Sequence, residues 1–302
     1  MDDAQHLQQL QDMSQPVALI PNGTVQFSLV VTRNCNLACH YCSQYFDADF
    51  SHEELVGVVE NIMQRYPEGL VDIHFYGGEP LLRFSLIQSI FAYIEANYAS
   101  RVEGYDLTTN AIPLTDEMVA FFVAHRDRFE INCSLDGGED SNWARVFPDG
   151  SSSFDASIAG INKLRSVGLL SWVQAVATAD NVQNIADDVE FLHGLGFYGI
   201  RVSLIEGAVL SQECLDTYVD EMKKVSDYVI LHPDLSIVQF KRKFLSVNSG
   251  PFILVNGKLV AIRVPGNDLA SRLSQCDVRD PRYRAVYDSV YEYHQNQLNG
   301  GV

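Results

Sequence analysis

The sequence predicts an α/β fold built around a parallel sheet. Short runs rich in β-branched residues alternate with segments of helical hydrophobic spacing, and short loops join six such strand–helix units between residues 25 and 231. Parallel strands joined in this way have right-handed crossovers that place helices against the sheet. The pattern alone allows an open doubly wound sheet or a partly closed barrel. In both, the chemistry lies at the carboxyl ends of the strands.

The predicted strands are apolar and β-branched, and each is followed by a helix with one apolar face. The strands are expected at 26–32, 71–76, 103–109, 129–135, 171–178 and 198–204. The helices are expected at 55–62, 87–98, 118–123, 155–166, 185–192 and 215–229. Ser51 and Glu54 form a capping-box pattern that begins the first helix, and Gly196 is placed to end the fifth.

The pattern changes after residue 231. Residues 252–263 predict a hairpin that turns at Asn256-Gly257, and an amphipathic helix is expected near 282–297. We therefore divide the chain into an N-terminal arm (1–24), the strand–helix array (25–231) and a small α+β appendage (232–302). The hairpin is expected to cover one end of the main sheet.

Composition excludes several classes of partner. The chain has 302 residues and a net charge of −18, so it repels nucleic-acid phosphates and anionic lipid surfaces. It contains no apolar run of about 18 residues. The N-terminus lacks the basic region and apolar core of a secretion signal. We expect no nucleic-acid or membrane partner and a cytoplasmic protein with reduced thiols.

Three of the six cysteines fall within eight residues, at Cys35, Cys39 and Cys42. Six cysteines are too sparse for a disulfide framework in a chain of this length. Thiolates at this spacing, on a loop after the first strand, can converge on one centre. A four-iron cluster would leave one iron without a protein ligand, whereas the alternative is a zinc knuckle completed by His40 or a distant cysteine. The spacing favours the iron–sulfur cluster.

Polar or glycine residues follow the next three strands. They are Gly77, Gly78 and Glu79 after the second strand, Asn110 after the third, and Ser134, Asp136 and Arg145 after the fourth. The glycines let the backbone approach a ligand closely, and the carboxylates and the guanidinium suit ammonium, hydroxyl and carboxylate groups. Taken singly, each is also explained by an ordinary turn or a surface ion pair. Together they are complementary to the groups of S-adenosylmethionine.

The pattern Cys35-x₃-Cys39-x₂-Cys42, with Tyr41 before the last cysteine, resembles the signature of the radical S-adenosylmethionine (radical SAM) enzymes. The resemblance covers about residues 24–206. Segments 77–82 and 134–137 resemble the subgroup that modifies peptides and proteins, whose members often carry a C-terminal SPASM or twitch extension. The fold implied by this resemblance is a partial (β/α)₆ TIM-like barrel.

The resemblance also implies cofactors and roles. The three cysteines would hold one [4Fe–4S] cluster, whose open iron would chelate the amino and carboxylate groups of S-adenosylmethionine. The other implied cofactor-binding residues are Gly77, Gly78 and Glu79 at the amino group, Ser134 and Asp136 at the ribose, Arg145 at the carboxylate, Tyr41 at the adenine, and Asn110. An electron donor such as flavodoxin or ferredoxin would reduce the cluster. A 5′-deoxyadenosyl radical would then abstract hydrogen from a substrate C–H bond.

The implied substrate is a ribosomally synthesised peptide. The alternatives are a small molecule, such as a sugar, nucleoside or amino-acid derivative, or a non-catalytic zinc-knuckle binding protein. Beyond residue 232 only Cys276 remains, too few for the auxiliary clusters of SPASM extensions, so we expect one cluster and redox-neutral chemistry such as epimerisation. Cys133, Cys214 and Cys276 are expected to be buried apolar residues rather than hydrogen donors. His74 and the other isolated histidines are expected to be surface or packing residues.

Overall fold

The structure, a computed structural model, describes residues 25–42, 49–65, 67–205, 208–241, 252–255, 258–263 and 282–299. The strands are β1 Val25–Thr32, β2 Val71–Gly77, β3 Val102–Thr109, β4 Phe129–Ser134, β5 Trp172–Ala177, β6 Gly199–Leu204, β7 Ser236–Ile237, β8 Phe252–Val255 and β9 Lys258–Arg263. The helices are α1 His52–Arg65, α2 Phe84–Tyr98, α3 Asp116–Ala124, α4 Phe154–Ser166, α5 Ile185–Gly194, α6 Gln212–Leu231, α7 Val238–Lys241 and α8 Arg282–Leu298.

The strands form one sheet in the order β7-β6-β5-β4-β3-β2-β1-β9-β8. Strands β1 to β7 pair in parallel, each with the next in the chain. This arrangement confirms the predicted α/β fold and the partial barrel. The short β7 extends the parallel array by a seventh strand that the sequence analysis did not predict.

One face of the sheet packs against the helices and carries the hydrophobic core. Along β2, Val71, Ile73 and Phe75 are buried and alternate with less buried residues. The buried residues join helix residues such as Ile62 and Ile90 in a single core. Burying each such side chain contributes about 1.5–3 kcal/mol, so this alternation fixes which face the helices cover.

The opposite face, here called the inner face, is polar and concave. The Gln26 side chain on β1 donates to Asp72 on β2 at 3.0 Å and reaches past that strand to Asp106 on β3 at 2.7 Å. Asn132 on β4 donates to the other oxygen of Asp106 at 3.1 Å. Because neighbouring strands lie about 4.8 Å apart, a contact from the first strand to the third requires the sheet to curve toward this face.

The predicted signals for the start of α1 and for the end of α5 are both confirmed. The Ser51 N–H donates to the Glu54 carboxylate at 2.9 Å, and the Glu54 N–H donates to the Ser51 hydroxyl at 3.2 Å, which is a capping box. At the end of α5, Gly196 adopts a φ of 103°. Its N–H donates to the carbonyl of His193, and the next N–H donates to the carbonyl of Leu192, forming a Schellman motif.

The described residues after 231 lie in two places. The hairpin strands β8 and β9 are confirmed, but β9 pairs antiparallel with β1 and extends the sheet at that edge, instead of covering one end. Helix α8 lies beside β6, where the Leu204 N–H donates to the Tyr287 hydroxyl at 2.8 Å. The arm 1–24, the turn at Asn256-Gly257 and Cys276 lie outside the described residues, and the division at residue 231 stays a prediction.

No helix in the described part of the chain has both the length and the apolar character needed to cross a bilayer.

Gly160 on α4 is expected to tolerate no side chain. A Cβ atom there would lie 1.9 Å from the carbonyl oxygen of Ala111, in the loop after β3. Gly160→Ala should therefore lower the free energy of unfolding by about 2–3 kcal/mol, measured by urea denaturation. Gly194→Ala at the end of α5 is the matched control, because a Cβ there meets nothing within 4 Å. It should raise stability by about 0.4–1 kcal/mol. Equal effects of the two changes would contradict this packing.

Candidate active site

The three clustered cysteines lie on the loop that follows β1, at the carboxyl edge of the sheet. Cys35 and Cys42 are exposed, and Cys39 is partly buried. The pKa of Cys39 is raised to about 11, mainly by burial, and the negative charges of Cys35 and Cys42 contribute to this rise while Arg145 opposes it. Burial also raises the pKa of Cys35. The loop thus brings the three sulfurs close enough to interact, and binding a metal there must displace their protons.

The His40 ring, proposed above as a zinc ligand, contacts the Trp143 ring edge-on, with centroids 5.3 Å apart. Within the described ranges, no three His, Cys, Asp or Glu side chains are arranged to hold a single metal ion.

The segment between β4 and α4 holds the cysteine loop by its backbone. The Ala38 N–H donates to the carbonyl of Val146 at 2.8 Å, and the His40 N–H donates to the carbonyl of Ala144 at 2.9 Å. These two bonds lie on either side of Cys39. The position of the middle cysteine is therefore set by a segment more than 100 residues later in the chain.

Three predicted site residues meet behind this loop. The Tyr41 hydroxyl donates to Asp136 at 2.5 Å, and the Arg145 guanidinium donates to the other oxygen of Asp136 at 2.8 Å. The guanidinium also lies over the Tyr41 ring, 5.5 Å from its centroid. The Val176 N–H of β5 adds a third bond to Asp136 at 2.9 Å. We call these three side chains the Asp136 cluster.

The Asp136 cluster is buried, with Asp136 3% and Arg145 7% exposed. Burial raises the pKa of the Tyr41 hydroxyl well above its usual value, and the nearby carboxylate adds to this effect. Burial lowers the pKa of Arg145, but the carboxylate of Asp136 raises it more, so that the pKa lies above its usual value. The resemblance gave these residues separate contacts with the adenine, the ribose and the carboxylate, whereas the structure joins them to one another. The Arg145 Nε atom is buried and has no hydrogen-bond partner among the described residues, which leaves a donor for an anionic group.

The two glycines after β2 are required by a close approach to the end of β1. Gly77 has a φ of 144°, and a Cβ there would lie 2.1 Å from the Thr32 carbonyl oxygen. A Cβ on Gly78 would lie 2.4 Å from the carbonyl oxygen of Asn34. The Gly78 N–H donates to Thr32, and the Glu79 N–H donates to Asn34. At both glycines, the contact that excludes a side chain is with the chain itself rather than with the ligand expected from the sequence.

Glu79 is 1% exposed and connects the ends of β2 and β3. Its carboxylate accepts from the Leu81 N–H at 3.0 Å, the Thr109 hydroxyl at 2.8 Å and the Asn110 N–H at 2.8 Å. Burial raises the pKa of Glu79 to about 7, although the three hydrogen bonds lower it. An ammonium group nearby would favour the ionised form, so the environment of Glu79 suits the predicted amino-group contact.

Asn110 and Ser134 occupy the ends of the next two strands. The Asn110 side chain donates to Asn36 at 2.8 Å, a residue that the sequence analysis did not single out. Ser134 ends β4, is half-buried and pairs in register with Gln174 of β5. All the predicted site residues therefore lie at one edge of the sheet. A single sequence gives no signal for Asn36, because the role of this residue depends on what its side chain contacts.

His74 belongs to the polar inner face, where its ring packs against Tyr76 with centroids 5.1 Å apart. Its Nδ1 lies 3.2 Å from the Ser28 hydroxyl, and its Nε2 lies 2.9 Å from the Thr108 hydroxyl and 3.4 Å from Asp106. The ring contact agrees with the expected packing role, but these polar contacts were not predicted. The alternation of Asp72 and His74 with apolar residues along β2 was the available signal.

A family model described as the radical SAM superfamily matches residues 29–192, more than half of the chain. The chain belongs to the radical SAM superfamily. This radical SAM enzyme accordingly uses a [4Fe–4S] cluster and S-adenosylmethionine.

Two curated relatives illustrate the range of the similarity. The enzyme is 27% identical to an uncharacterized protein of Methanocaldococcus jannaschii over 240 residues, which cover 78% of this chain and 82% of that protein. It is 32% identical over 178 residues to the probable GTP 3′,8-cyclase of Methanopyrus kandleri, covering 58% of this chain and 54% of the cyclase. The enzyme therefore spans about half of that cyclase.

Among solved structures, native anSMEcpe with bound AdoMet and the Cp18Cys peptide resembles this radical SAM enzyme with a TM-score of 0.72. The match covers 92% of this chain and 98% of that chain at 15% identity. At this identity the likeness shows the fold alone.

Asp188 on α5 supports the loop that follows Asp136, and it was also missed by the sequence analysis. Its carboxylate accepts from the Gly138 N–H at 2.9 Å, and a Cβ on Gly137 would lie 2.1 Å from its Cγ. Burial raises the pKa of Asp188 to about 6, although hydrogen bonds from Gly138 and Ser141 lower it. The folded protein therefore holds this proton more tightly than the unfolded chain, and the contribution to stability is lost as pH rises through about 6.

Asp188→Asn should remove this pH dependence while keeping the hydrogen bond from Gly138. A shift of two pKa units corresponds to ~3 kcal/mol, and solvent screening reduces this to about 1–2 kcal/mol. The unfolding free energy of the variant, relative to wild type, should rise by that amount between pH 4 and pH 7 in urea denaturation. The exposed Asp187 on the same helix provides the control, and Asp187→Asn should change stability by less than about 0.5 kcal/mol. A pH-independent difference for Asp188→Asn would contradict this account.

Proposed function

We propose that Cys35, Cys39 and Cys42 hold a single [4Fe–4S] cluster, and that the enzyme uses reductive cleavage of S-adenosylmethionine to abstract hydrogen from a peptide substrate. The observation that carries this proposal is the placement of the three-thiol loop against the ends of β2, β3 and β4. There the Glu79 N–H donates to Asn34 at the start of the loop, and Arg145 lies between Ala144 and Val146, whose carbonyls accept from the loop on either side of Cys39.

The residues present fit these cofactors. Cys35 and Cys42 are accessible to iron, and the His40 ring packs edge-on against Trp143. The buried Arg145 Nε atom has no acceptor within the described part of the chain and suits a carboxylate. When bound, the cluster and S-adenosylmethionine supply the one-electron chemistry that generates a radical able to take hydrogen from an unactivated C–H bond.

The surrounding residues would bind and orient S-adenosylmethionine. Glu79, with the backbone of Gly77 and Gly78, would receive the amino group, and Arg145 would bind the carboxylate. Ser134 and Asp136 would lie near the ribose, Tyr41 near the adenine, and Asn110 beside the cluster. Because Asp136 already accepts three hydrogen bonds from the protein, its main contribution would be to fix Tyr41 and Arg145.

The net charge of −18 favours a peptide over a nucleotide triphosphate. A triphosphate approaching so acidic a chain would be repelled. The fold shared with a peptide-bound enzyme over nearly its whole length agrees with a peptide substrate. The identity to a probable GTP 3′,8-cyclase makes a nucleotide the second candidate.

A single cluster suits hydrogen abstraction followed by hydrogen return, because no second centre would accept the further electron of a net oxidation. Cys133 and Cys214 are both part of the hydrophobic core, so neither is proposed as the hydrogen donor. An external one-electron donor such as flavodoxin or ferredoxin would reduce the cluster. We propose a reducing, cytoplasmic compartment, in which such a donor would keep the cluster reducible.

Anaerobic reconstitution tests the cluster. We expect about four irons and about four sulfides per chain, and formation of 5′-deoxyadenosine when a strong reductant and S-adenosylmethionine are added. Cys39→Ala should abolish both, whereas Cys133→Ala, a core change on β4, should keep both. About eight irons would contradict a single cluster. Zinc without sulfide would overturn the proposed function.

Isothermal titration calorimetry with GTP, on the reconstituted enzyme loaded with S-adenosylmethionine, tests the substrate class. We expect no GTP binding and no increase of 5′-deoxyadenosine on adding GTP, because the chain carries a net charge of −18. Micromolar GTP binding together with GTP-dependent formation of 5′-deoxyadenosine would replace the peptide proposal with the nucleotide one.

A further inference from the structure

The carboxylate of Asp49 joins the end of β1 to the residues that precede α1. It accepts from the hydroxyl of Thr32, a fully buried residue, at 2.5 Å. The Asn34 side chain donates to both of its oxygens, at 3.3 Å and 3.2 Å. The three clustered cysteines lie between Asn34 and Asp49 in the chain. This carboxylate therefore connects the two ends of the segment that carries them.

A second segment, after β2, binds the same carboxylate. The Nη1 atom of Arg83 lies 2.9 Å from an oxygen of Asp49, and its Nη2 donates to the carbonyl of Phe50 at 3.3 Å. The Thr32 hydroxyl and Arg83 hold the pKa of Asp49 below its usual value, although burial opposes them. Asp49 is therefore ionised, and hydrogen bonds to a charged group are roughly twice as strong as those between neutral groups.

Arg83 is in turn connected to Asn34 through Glu79. Arg83 ends the short helical turn Pro80–Arg83, whose N-terminus is capped by the Glu79 side chain. The Glu79 N–H donates to the carbonyl of Asn34 at 2.9 Å. Asp49, Asn34, Glu79 and Arg83 thus form a closed ring of contacts, here called the Asp49 clamp. The clamp joins the cysteine segment to the residue proposed above as the amino-group acceptor.

The clamp is better suited to fixing positions than to stabilising the fold. The side chains of Arg83 and Asp49 are 34% and 38% exposed, and ion pairs at such sites contribute little to folding stability. A ligand held by both the cluster and Glu79 needs a fixed distance between the two. Misplacing reacting groups by about 1 Å can cost about 100-fold in rate. A contact that closes a ring through Glu79 supplies that fixed distance.

We propose that Asp49 is a positioning residue, which fixes the cysteine segment against Glu79 and so keeps the cluster and the amino-group acceptor at the spacing that S-adenosylmethionine requires. This inference rests on the cluster and the cofactor contacts proposed above. Without Asp49 the three thiols would still take up iron, but the two subsites would no longer be held at one distance. Ordering them would then reduce the affinity for the cofactor.

The first test is the affinity of the reconstituted, unreduced enzyme for S-adenosylmethionine, measured by isothermal titration calorimetry. Asp49→Ala should keep about four irons per chain and raise the dissociation constant about tenfold. Asp49→Asn keeps an oxygen acceptor but loses the charge that faces Arg83, so it should give a smaller rise. When formation of 5′-deoxyadenosine is assayed, KM should rise in parallel and kcat should change less than about twofold. An unchanged dissociation constant in Asp49→Ala with a full cluster would overturn the proposal.

Glu95→Gln is the matched control for Asp49→Asn. Glu95 and Arg128 form an ion pair at 2.7 Å, with side chains 29% and 27% exposed. The Glu95 carboxylate also accepts from the Tyr105 hydroxyl at 2.7 Å, as Asp49 does from Thr32. This pair joins α2 to the residue before β4, at the opposite end of the sheet, and its loss should leave the affinity unchanged. Equal losses of affinity in the two variants would contradict a specific role for Asp49.

Amide hydrogen exchange of the cluster-free chain, followed by nuclear magnetic resonance, is a readout that does not depend on iron. The N–H groups of Gly78 and Glu79 donate to the carbonyls of Thr32 and Asn34, so their exchange reports how firmly these segments are held together. Both should exchange about fivefold faster in Asp49→Ala and at the wild-type rate in Glu95→Gln. Unchanged exchange would overturn the proposal even if Asp49→Ala fails to bind iron.

The failure of this inference differs from the failure of the proposed function. A wild-type protein that forms no cluster would refute the proposed function itself. A wild-type protein with a full cluster, whose affinity for S-adenosylmethionine does not respond to Asp49→Ala, would refute the role of Asp49 alone.

Discussion

The close approach of two backbones, at the ends of β1 and β2, is the constraint on which the rest of the site depends. A side chain on Gly77 would overlap the carbonyl oxygen of Thr32 at the end of β1. This contact sets the start of the cysteine loop and brings Glu79 beside it. Glu79 then bonds to Asn110 on the neighbouring strand. Two missing Cβ atoms thus allow three strand ends to act as one unit.

Buried charge gives this unit its rigidity. The carboxylate of Asp136 accepts from Tyr41, Arg145 and Val176, which come from three separate parts of the chain. Burying such an ion pair contributes little net stability, but removing one partner would cost about 3–5 kcal/mol. A fully bonded buried network favours a single arrangement of its members. The middle of the cysteine loop is therefore held by groups whose geometry does not depend on exposed, mobile side chains.

The sequence predicted the strand–helix order and the location of the site because both follow from local signals. Helix ends were specified by Ser51, Glu54 and Gly196, and parallel strands necessarily bring their carboxyl ends to one edge. The two-residue strand β7 was missed because it is too short to show a period. The edge position of the hairpin was missed because pairing between distant segments has no local signature.

The residues that form the site were easier to predict than the contacts between them. The partners of Asp136 come from before and after it in the chain, and no spacing rule indicates that they meet. Asn36 and His74 were overlooked for a related reason, since a polar residue on a strand or loop is equally consistent with exposure to water. Their hydrogen bonds become visible only when curvature brings the strands of the inner face together.

The pairing of β9 with β1 has a consequence for the order in which the molecule assembles. β1 is synthesised first and can pair with β2 early, yet its other neighbour arrives 237 residues later, at the register of Gln26 with Arg263. Until then one long row of backbone amides and carbonyls on β1 is open to other chains. Contacts of such sequence separation form slowly and favour aggregation during synthesis. The fraction of newly synthesised chains that fold without aggregating therefore depends on how quickly the β8–β9 hairpin pairs with β1.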